Sequence, residues 1–296
     1  MPTIFEGAGV ALITPFLEDG SVNYKKLEEL IEEQISEGTD AIISCGTTGE
    51  VSTLTHDEQL TVIKETIKIV DKRVPVIAGT GSNCTETAVM LSKKAQSYGA
   101  DGLLIVSPYY NKATQGGLIA HYTKIAENVD IPILLYNIPG RAGIALAPET
   151  IAYLVKNVKN IVGVKEAGGD ISVTAKIFRL CRDTVIDVYS GNDDQNVAIM
   201  ALGGKGAISV LSNIAPKKTS IMCHEAIDGN IKEAARLQLE ALDVINNLFI
   251  EVNPIPVKAA MNLLGKEVGK LRLPLTYMEK EHLSILEESM KEYGLL

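Results

Sequence analysis

The sequence predicts an α/β protein, a TIM-type (β/α)8 barrel followed by a C-terminal helical appendage. Short apolar runs recur at intervals of roughly 20–35 residues, and amphipathic stretches with helical spacing lie between them. After the eighth run the pattern changes to helices only. An open doubly wound sheet fits less well, because the first run is followed by TPFLEDG and not by a Gly-rich phosphate-binding turn.

Each apolar run predicts one strand. Apolar residues occupy both alternating positions of a run, which is typical of a strand that is buried on both faces. In chain order the runs are GVALITPF (9–16), DAIISCG (40–46), VPVIAGTG (74–81), DGLLIVSPYY (101–110), IPILLYNIP (131–139), IVGVKEA (161–167), TVIDVYSG (184–191) and GAISVLS (206–212).

The predicted barrel domain spans residues 1–227, and the predicted helical extension spans residues 228–296. The extension contains NIKEAARLQLEALDVINNLF, PIPVKAAMNLLG and EKEHLSILEESMKEYG, and we expect no separate enzymatic domain in it. The chemistry is therefore expected at the carboxyl ends of the barrel strands, where enzymes of this architecture carry their active sites.

Composition excludes several classes of function. Hydrophobic residues make up 46% of the 296 residues and charged residues 22%, which is typical of a soluble globular protein. The net charge of −9 argues against nucleic acid as a partner, and no apolar run has the length of a membrane span. The cysteines and histidines lack metal-ligand spacing, so we expect a cytoplasmic protein without a metal site.

Lys165 stands at the end of the sixth predicted strand, in NIVGVKEAGGD. It shares its side of the strand with Ile161 and Gly163, so we expect it to point into the barrel mouth, with Gly163 leaving room for it. Partial burial favours the neutral form of a lysine, and a neutral amine forms a Schiff base with a ketone. A salt-bridged or snorkelling lysine at a strand end remains an alternative.

The second strand ends in CGTTGE, where Thr47 and Thr48 offer hydroxyl groups between glycines. Such a turn suits a small carboxylate, although a threonine-capped turn into a helix has the same pattern. The fifth strand ends at Tyr136, which is suited to proton transfer, and Arg141 follows and is suited to a second carboxylate. Tyr110 follows the fourth strand, where exposed tyrosines are equally typical of interfaces.

Four of these segments, GTTGE, PYYN, YNIPGR and GVKEA, occur in this order on these strands. Together they resemble the dihydrodipicolinate synthase family, within the wider N-acetylneuraminate lyase group of pyruvate-dependent Schiff-base aldolases. The resemblance extends along nearly the whole chain, including SGNDD, GAISVLSN and NPIPVKAAMNLLG. It implies condensation of pyruvate with L-aspartate 4-semialdehyde in diaminopimelate and lysine biosynthesis. It also implies a homotetramer built from tight dimers, with no cofactor beyond the covalent Schiff base.

The resemblance also implies a role for each matching residue. Lys165 would form the imine, and Tyr136 would act as acid and base, linked to Thr47 and to a Tyr110 from the neighbouring subunit. The remaining predicted site residues bind substrate: Thr48 the pyruvate carboxylate together with Thr47, Arg141 the second substrate, and Gly191 and Ile208 the pocket wall through their carbonyl groups.

Two rival functions remain. Another pyruvate aldolase, acting on sialic acid or a keto-deoxy sugar acid, would share Lys165 and Tyr136. A catalytically silent binding protein would need none of these residues. By the same resemblance we expect weak or absent feedback inhibition by lysine, because Val51, Gln59 and Thr87 stand where sensitive relatives carry polar, histidine and acidic residues.

Asp193 and Asp194, in SGNDDQN after the seventh strand, allow two interpretations. They resemble metal ligands or catalytic acids by residue type. We interpret them instead as the start of the next helix, where acidic side chains complement the helix dipole.

Overall fold

The computed structural model describes residues 3–296, which form a closed barrel of parallel strands. Each strand pairs with the next along the chain, and the last closes the barrel on the first. This topology confirms the predicted fold class. The strands are β1 Gly7–Ala11, β2 Ala41–Ser44, β3 Val76–Gly79, β4 Gly102–Val106, β5 Ile133–Asn137, β6 Ile161–Glu166, β7 Asp187–Ser190 and β8 Gly206–Ser209.

Helices connect the strands and surround the barrel. Those of the barrel are α1 Tyr24–Ser36, α2 His56–Val70, α3 Thr85–Tyr98, α4 Gln115–Ala126, α5 Pro139–Ala142, α6 Pro148–Asn157, α7 Ile171–Leu180, α8 Asn196–Ala201 and α9 Pro216–Ile227. Those that follow are α10 Ile231–Glu240, α11 Leu242–Asn247, α12 Ile255–Leu263 and α13 Lys280–Glu292.

Strand β5 shows why the apolar runs lack a polar face. Leu134 and Tyr136 belong to the cluster that fills the barrel, whereas Ile133 and Leu135 belong to the layer between strands and helices. Because successive side chains of a strand point to opposite faces, a strand between these two layers buries both sets.

The strands are shorter than the apolar runs that predict them. The first run spans 9–16, but β1 ends at Ala11, and Leu12 and Ile13 lie in a buried connection. The fourth run spans 101–110, but β4 ends at Val106 and is followed by the buried Ser107. Part of each of these two runs therefore lies in a buried connection at the carboxyl end of its strand.

The helices α10 to α13 form the predicted C-terminal extension. Residues of α11, α12 and α13, among them Val244, Met261 and Leu286, share one hydrophobic cluster with the outer faces of the barrel strands. The extension therefore packs against the layer between the strands and the helices rather than forming a core of its own. The boundary between residues 227 and 228 stays a prediction.

Candidate active site

Lys165 points into the barrel mouth. Its Cα is paired with that of Tyr136 on β5 and with that of Tyr189 on β7, and both tyrosines belong to the barrel-filling cluster. Because neighbours at one register position share a face, the Lys165 side chain lies on the inner face too. It is 5% exposed. The structure thus places the lysine as the parity of strand β6 predicts.

The surroundings of the Lys165 amine lack a counter-charge. Nζ lies 4.6 Å from the centroid of the Tyr136 ring, over its electron-rich face. Within residues 3–296 no carboxylate forms an ion pair with it. The salt-bridged alternative is therefore absent from the described chain, and the amine is free to meet a ligand.

The space for the Lys165 side chain depends on a glycine other than the predicted one. A Cβ on Gly191 would lie 2.6 Å from Ala167 Cβ and 2.9 Å from Lys165 Cε, so a side chain at this position after β7 would crowd the lysine. A Cβ on Gly163 would instead lie 1.9 Å from the Asp187 carbonyl oxygen. Gly163 therefore permits the close approach of β6 and β7. It does not make room for the Lys165 side chain, contrary to the prediction from the sequence.

The turn at 45–50 holds the two predicted threonines at the end of β2. Cys45 and Glu50, on either side of the turn, adopt left-handed backbone conformations with φ of 57° and 54°. Such conformations are costly for residues with a side chain and persist where the surroundings fix them. Thr47 is half-buried, whereas Thr48 is buried and its Oγ1 accepts a hydrogen bond from Asn253 Nδ2 at 2.9 Å.

A cavity of about 410 Å³ lies beside this turn. Its lining includes Thr47, Tyr109 and Arg141, and does not include Lys165 or Tyr136. Arg141 lies on the short helix α5, and its Nη2 donates to the Asn253 carbonyl oxygen at 3.0 Å. The structure thus brings Thr47 and Arg141, two of the three predicted carboxylate-binding groups, to one cavity.

The predicted relay of hydroxyl groups is not formed within one chain. In the described part of the chain the Tyr136 and Thr47 hydroxyls make no hydrogen bond with each other or with Tyr110. Tyr110 is 89% exposed and has a φ of 74°. A tyrosine that is strained and turned toward solvent is not available to its own site, so the three-residue relay stays a prediction.

Asp193 lies at the start of the helical segment that follows β7, as the sequence predicts, and it also has a second role. It begins a 3-10 turn, Asp193–Gln195, ahead of α8, and it is buried. Its Oδ2 accepts hydrogen bonds from the Val210 and Leu211 N–H groups at 2.8 and 2.9 Å. The carboxylate therefore fixes the chain just after β8, close to the predicted pocket residue Ile208, which is fully buried. Helix-dipole stabilisation alone does not describe it.

A second polar pair, which the sequence does not predict, lies behind Lys165 and Tyr136. Asn137 and Glu166, the next residues on β5 and β6, share a register position, and Asn137 Nδ2 donates to Glu166 Oε2 at 2.8 Å. Burial raises the pKa of the Glu166 carboxyl, while the Asn137 amide and the Gly168 N–H act in the opposite direction. The pair fixes the two strand ends against each other.

Two residues of the C-terminal extension also reach the site without having been predicted. Asn253 contacts Thr48 and Arg141, and Lys258 Nζ donates to Glu50 Oε1 at 2.7 Å. The signal in the sequence is Lys258, a charged residue within the apolar segment NPIPVKAAMNLLG. A lysine buried in such a segment requires a hydrogen-bonding or ion-pair partner.

Within residues 3–296, no three His, Cys, Asp or Glu side chains group in a way that would hold a metal ion. None of the helices in this described part of the chain has both the length and the apolar character that a bilayer crossing requires.

The family model for the dihydrodipicolinate synthetase family matches residues 4–293. The chain belongs to this family. The match confirms the resemblance that the four strand-end motifs indicate. A curated family member from Lachnoclostridium phytofermentans, a 4-hydroxy-tetrahydrodipicolinate synthase, is 57% identical over 99% of each chain.

Solved structures of the family superpose on the whole chain. A chloride-inhibited dihydrodipicolinate synthase from Acinetobacter baumannii, complexed with pyruvate, is 44% identical with a TM-score of 0.96, covering 99% of this chain and all of that one. A monomeric dihydrodipicolinate synthase variant is 42% identical with a TM-score of 0.95, covering 99% and 98%. Family membership therefore rests on the full fold and not on isolated motifs.

Proposed function

We propose that this chain is a 4-hydroxy-tetrahydrodipicolinate synthase, which condenses pyruvate with L-aspartate 4-semialdehyde in diaminopimelate and lysine biosynthesis. The observation that carries the proposal is a buried lysine at the barrel mouth with no carboxylate partner in the described chain, beside Tyr136. The full-length relatives of that name support the same activity, and they agree with the reaction that the sequence predicts.

Lys165 starts the reaction in this proposal. Its Nζ attacks the ketone carbon of pyruvate, and loss of water gives a protonated imine. The imine withdraws electrons from the neighbouring methyl group, which loses a proton and becomes the nucleophilic carbon of an enamine. Tyr136, whose ring lies against the amine, is proposed to transfer these protons.

The enamine then joins the second substrate. Its terminal carbon attacks the aldehyde carbon of L-aspartate 4-semialdehyde, the resulting alkoxide takes up a proton, and the imine to Lys165 is restored. The amino group of the former semialdehyde attacks the imine carbon and closes a ring. Expulsion of the lysine amine releases hydroxytetrahydrodipicolinate and returns Lys165 for another turnover.

The positions of the carboxylate-binding groups fit this sequence of steps. Thr47 and Thr48 are proposed to bind the pyruvate carboxylate, because Thr47 lines the cavity and Thr48 follows it in the same strained turn. Arg141, across the same cavity, is proposed to bind the carboxylate of the second substrate through its planar fork. Gly191 and Ile208 are proposed to line the pocket at the ends of β7 and β8.

Tyr110 is proposed to act in the site of a neighbouring subunit within a homotetramer of two tight dimers. Its 89% exposure and its φ of 74° support this, since solvent alone does not stabilise such a conformation in tyrosine. A Tyr110→Phe variant should lose activity while Lys165 still forms its pyruvate adduct. Gel filtration should give a tetramer, and a monomer with full activity would contradict the proposal.

No metal or organic cofactor enters the proposed reaction, because the protonated imine supplies the electron sink that a metal would otherwise provide. The small molecules that bind are the two substrates alone. A cytoplasmic location is proposed with this pathway, and nucleic acid and membranes are not proposed as partners.

The decisive experiment combines trapping with a choice of acceptor. The protein is incubated with pyruvate and reduced with borohydride, and the added mass is mapped by peptide mass spectrometry. We expect one adduct on Lys165. Turnover of the pyruvate-loaded enzyme is then compared with L-aspartate 4-semialdehyde and with N-acetylmannosamine. Absence of the adduct would favour the silent binding protein, and preference for the amino sugar would favour the rival aldolase.

A further inference from the structure

Asn253 lies between α11 and α12, far along the chain from the residues that it contacts. It is 5% exposed. Its side-chain Nδ2 donates to Thr48 Oγ1 at 2.9 Å, and its backbone carbonyl oxygen accepts from Arg141 Nη2 at 3.0 Å. One residue of the extension thus contacts both groups that the proposed function assigns to substrate carboxylates.

The direction of the contact with Thr48 matters. A threonine hydroxyl has one proton and two lone pairs. When Asn253 donates into a lone pair, the Thr48 proton stays free to be donated to another acceptor, such as a carboxylate oxygen. The other end of the Asn253 amide, Oδ1, is buried and makes no hydrogen bond within residues 3–296. Only the donor end of the amide is therefore in use.

A second contact fixes the same turn from the same segment. Lys258, on α12, forms a buried ion pair with Glu50, the left-handed residue that closes the turn of the threonines. Arg272 N–H donates to the other Glu50 oxygen at 3.1 Å. The extension therefore holds the backbone of the turn through Glu50 and the hydroxyl of Thr48 through Asn253.

We propose that Asn253 is a positioning residue that orients the Thr48 hydroxyl as a donor to the pyruvate carboxylate. The proposal rests on the proposed function, because it needs Thr48 to bind pyruvate. It also predicts a separation of effects. Truncation of the Asn253 side chain removes the contact with Thr48 but leaves the backbone carbonyl that holds Arg141, so pyruvate binding suffers and binding of the second substrate does not.

The test measures pyruvate capture without the second substrate. Wild type, Asn253→Ala, Thr48→Val and the double variant are titrated with pyruvate, and the borohydride-trapped fraction of Lys165 is measured by mass spectrometry. Loss of one hydrogen bond should raise the half-saturating pyruvate concentration about 3- to 10-fold in Asn253→Ala. The double variant should be no weaker than Thr48→Val, since both changes act through the same hydroxyl.

Two further variants separate positioning from a general structural role. Asn253→Asp keeps the size of the side chain but offers only acceptors, so it takes the Thr48 proton and should weaken pyruvate capture more than Asn253→Ala. Asn262 lies on helix α12, which follows Asn253, and within residues 3–296 its side chain bonds only to its own segment, through Gly269 O and Val268 N. Asn262→Ala is the matched control and should leave the pyruvate titration unchanged.

The outcomes divide cleanly. A wild-type protein that forms no adduct overturns the proposed function itself. A wild-type adduct with unchanged titrations in Asn253→Ala and Asn253→Asp overturns the positioning role alone, as do additive effects in the double variant. Equal increases in the KM of both substrates would also overturn it, because they indicate general loosening. Should Asn253→Ala fail to fold, the isosteric Asn253→Asp decides the question by the same titration.

Discussion

The chain buries two lysines near the barrel mouth, and their surroundings differ in one respect. Lys258 is 1% exposed, and its Nζ donates to Glu50 at 2.7 Å and to the Lys270 carbonyl oxygen at 3.0 Å. Lys165 is 5% exposed and has an aromatic ring beside it but no carboxylate in the described chain. Burial is therefore nearly the same, and the partners differ.

The difference separates a structural lysine from the lysine that the proposed function uses as a nucleophile. Burial lowers the pKa of Lys258, but the Glu50 charge acts in the opposite direction and keeps the amine engaged as a hydrogen-bond donor. An amine that is engaged in an ion pair of this kind is unavailable as a nucleophile. Lys165 is similarly buried but has no carboxylate partner in the described chain, which is the arrangement that the proposed Schiff-base chemistry requires.

The largest expected effect follows from removing Lys165, the buried lysine without a carboxylate partner in the described chain. Lys165→Ala should lower kcat/KM by a factor of at least about 1,000, because no other group of the site replaces the nucleophile. The free energy of unfolding should change less than in a variant that strands a buried charge, since the Lys165 amine has no ion-pair partner within residues 3–296. Steady-state assays and urea unfolding measure the two effects. Retention of the wild-type rate would contradict the comparison and the proposed function together.

Removing Lys258, the lysine paired with Glu50, should have the opposite effects: a large loss of stability and little change in the trapping of pyruvate on Lys165. Lys258→Met leaves the Glu50 carboxylate buried without its partner, which should destabilise the protein by about 3–5 kcal/mol. Urea unfolding measures this loss, and borohydride trapping should still label Lys165 in the folded fraction. The double variant Lys258→Met with Glu50→Leu removes both charges and should recover much of the stability. A Lys258→Met protein as stable as wild type would show that the pair has no structural role.

A smaller, pH-dependent effect on stability is expected for the ion pair between Arg272 and Glu58, which is more exposed than the pair between Lys258 and Glu50. Two hydrogen bonds from Arg272 to Glu58, at 2.9 and 2.6 Å, lower the pKa of the Glu58 carboxyl to about 2. Since the folded pKa lies below the unfolded value, the native state binds fewer protons. The stabilisation is present above the unfolded pKa and is lost as pH falls toward 2.

Glu58→Gln should therefore destabilise the protein by roughly 1 kcal/mol at pH 7, discounted for the partial exposure of the pair. The difference from wild type should shrink as pH falls from about 5 to about 2. Urea midpoints measured across this range test the prediction. Glu32→Gln, which breaks the more exposed Arg73 pair, is the control and should have the smaller effect. A difference that is constant with pH would contradict an electrostatic origin.

The fold and the central lysine were predictable because both depend on local pattern. Alternation along β6 is enough to place Lys165 on the inner face once a barrel is inferred, and apolar runs on both parities are enough to infer the barrel. The strand ends were less predictable, because the connections at the mouth, such as Leu12 and Ile13, are buried like strands.

The supporting contacts were not predictable for a different reason. Thr48 and Asn253 are 205 residues apart in the chain, and Glu50 and Lys258 are 208 apart. No periodicity or local spacing pairs such residues, and only the packing of the extension onto the barrel brings them together. The role of Gly191 is of the same kind, since the Cβ that it lacks would meet a side chain from another strand.

The smallest expected effect is the inhibition of the enzyme by free lysine in solution. A free lysine molecule, like Lys258, needs a carboxylate for its ammonium group if it is to bind in a partly buried site. Val51 and Gln59, two of the positions predicted to decide lysine sensitivity, line the cavity beside Thr47, and the described residues of its lining include no Asp or Glu. Gln59, at one of the predicted positions, is buried, and its Nε2 already donates to the Gly79 carbonyl oxygen at 2.9 Å.

Free lysine at about 1 mM should therefore reduce the reaction rate by less than about twofold, because a weak ligand has a dissociation constant of that order or higher. Thr87→Glu restores a carboxylate at a position where sensitive relatives are expected to carry one, and it should lower the inhibitory concentration. Thr87→Gln, of the same length without the charge, is its control. Initial rates measured against lysine concentration decide the matter. Strong inhibition of the wild type below 1 mM would show that an ammonium group binds in this protein without the carboxylate partner that Lys258 requires.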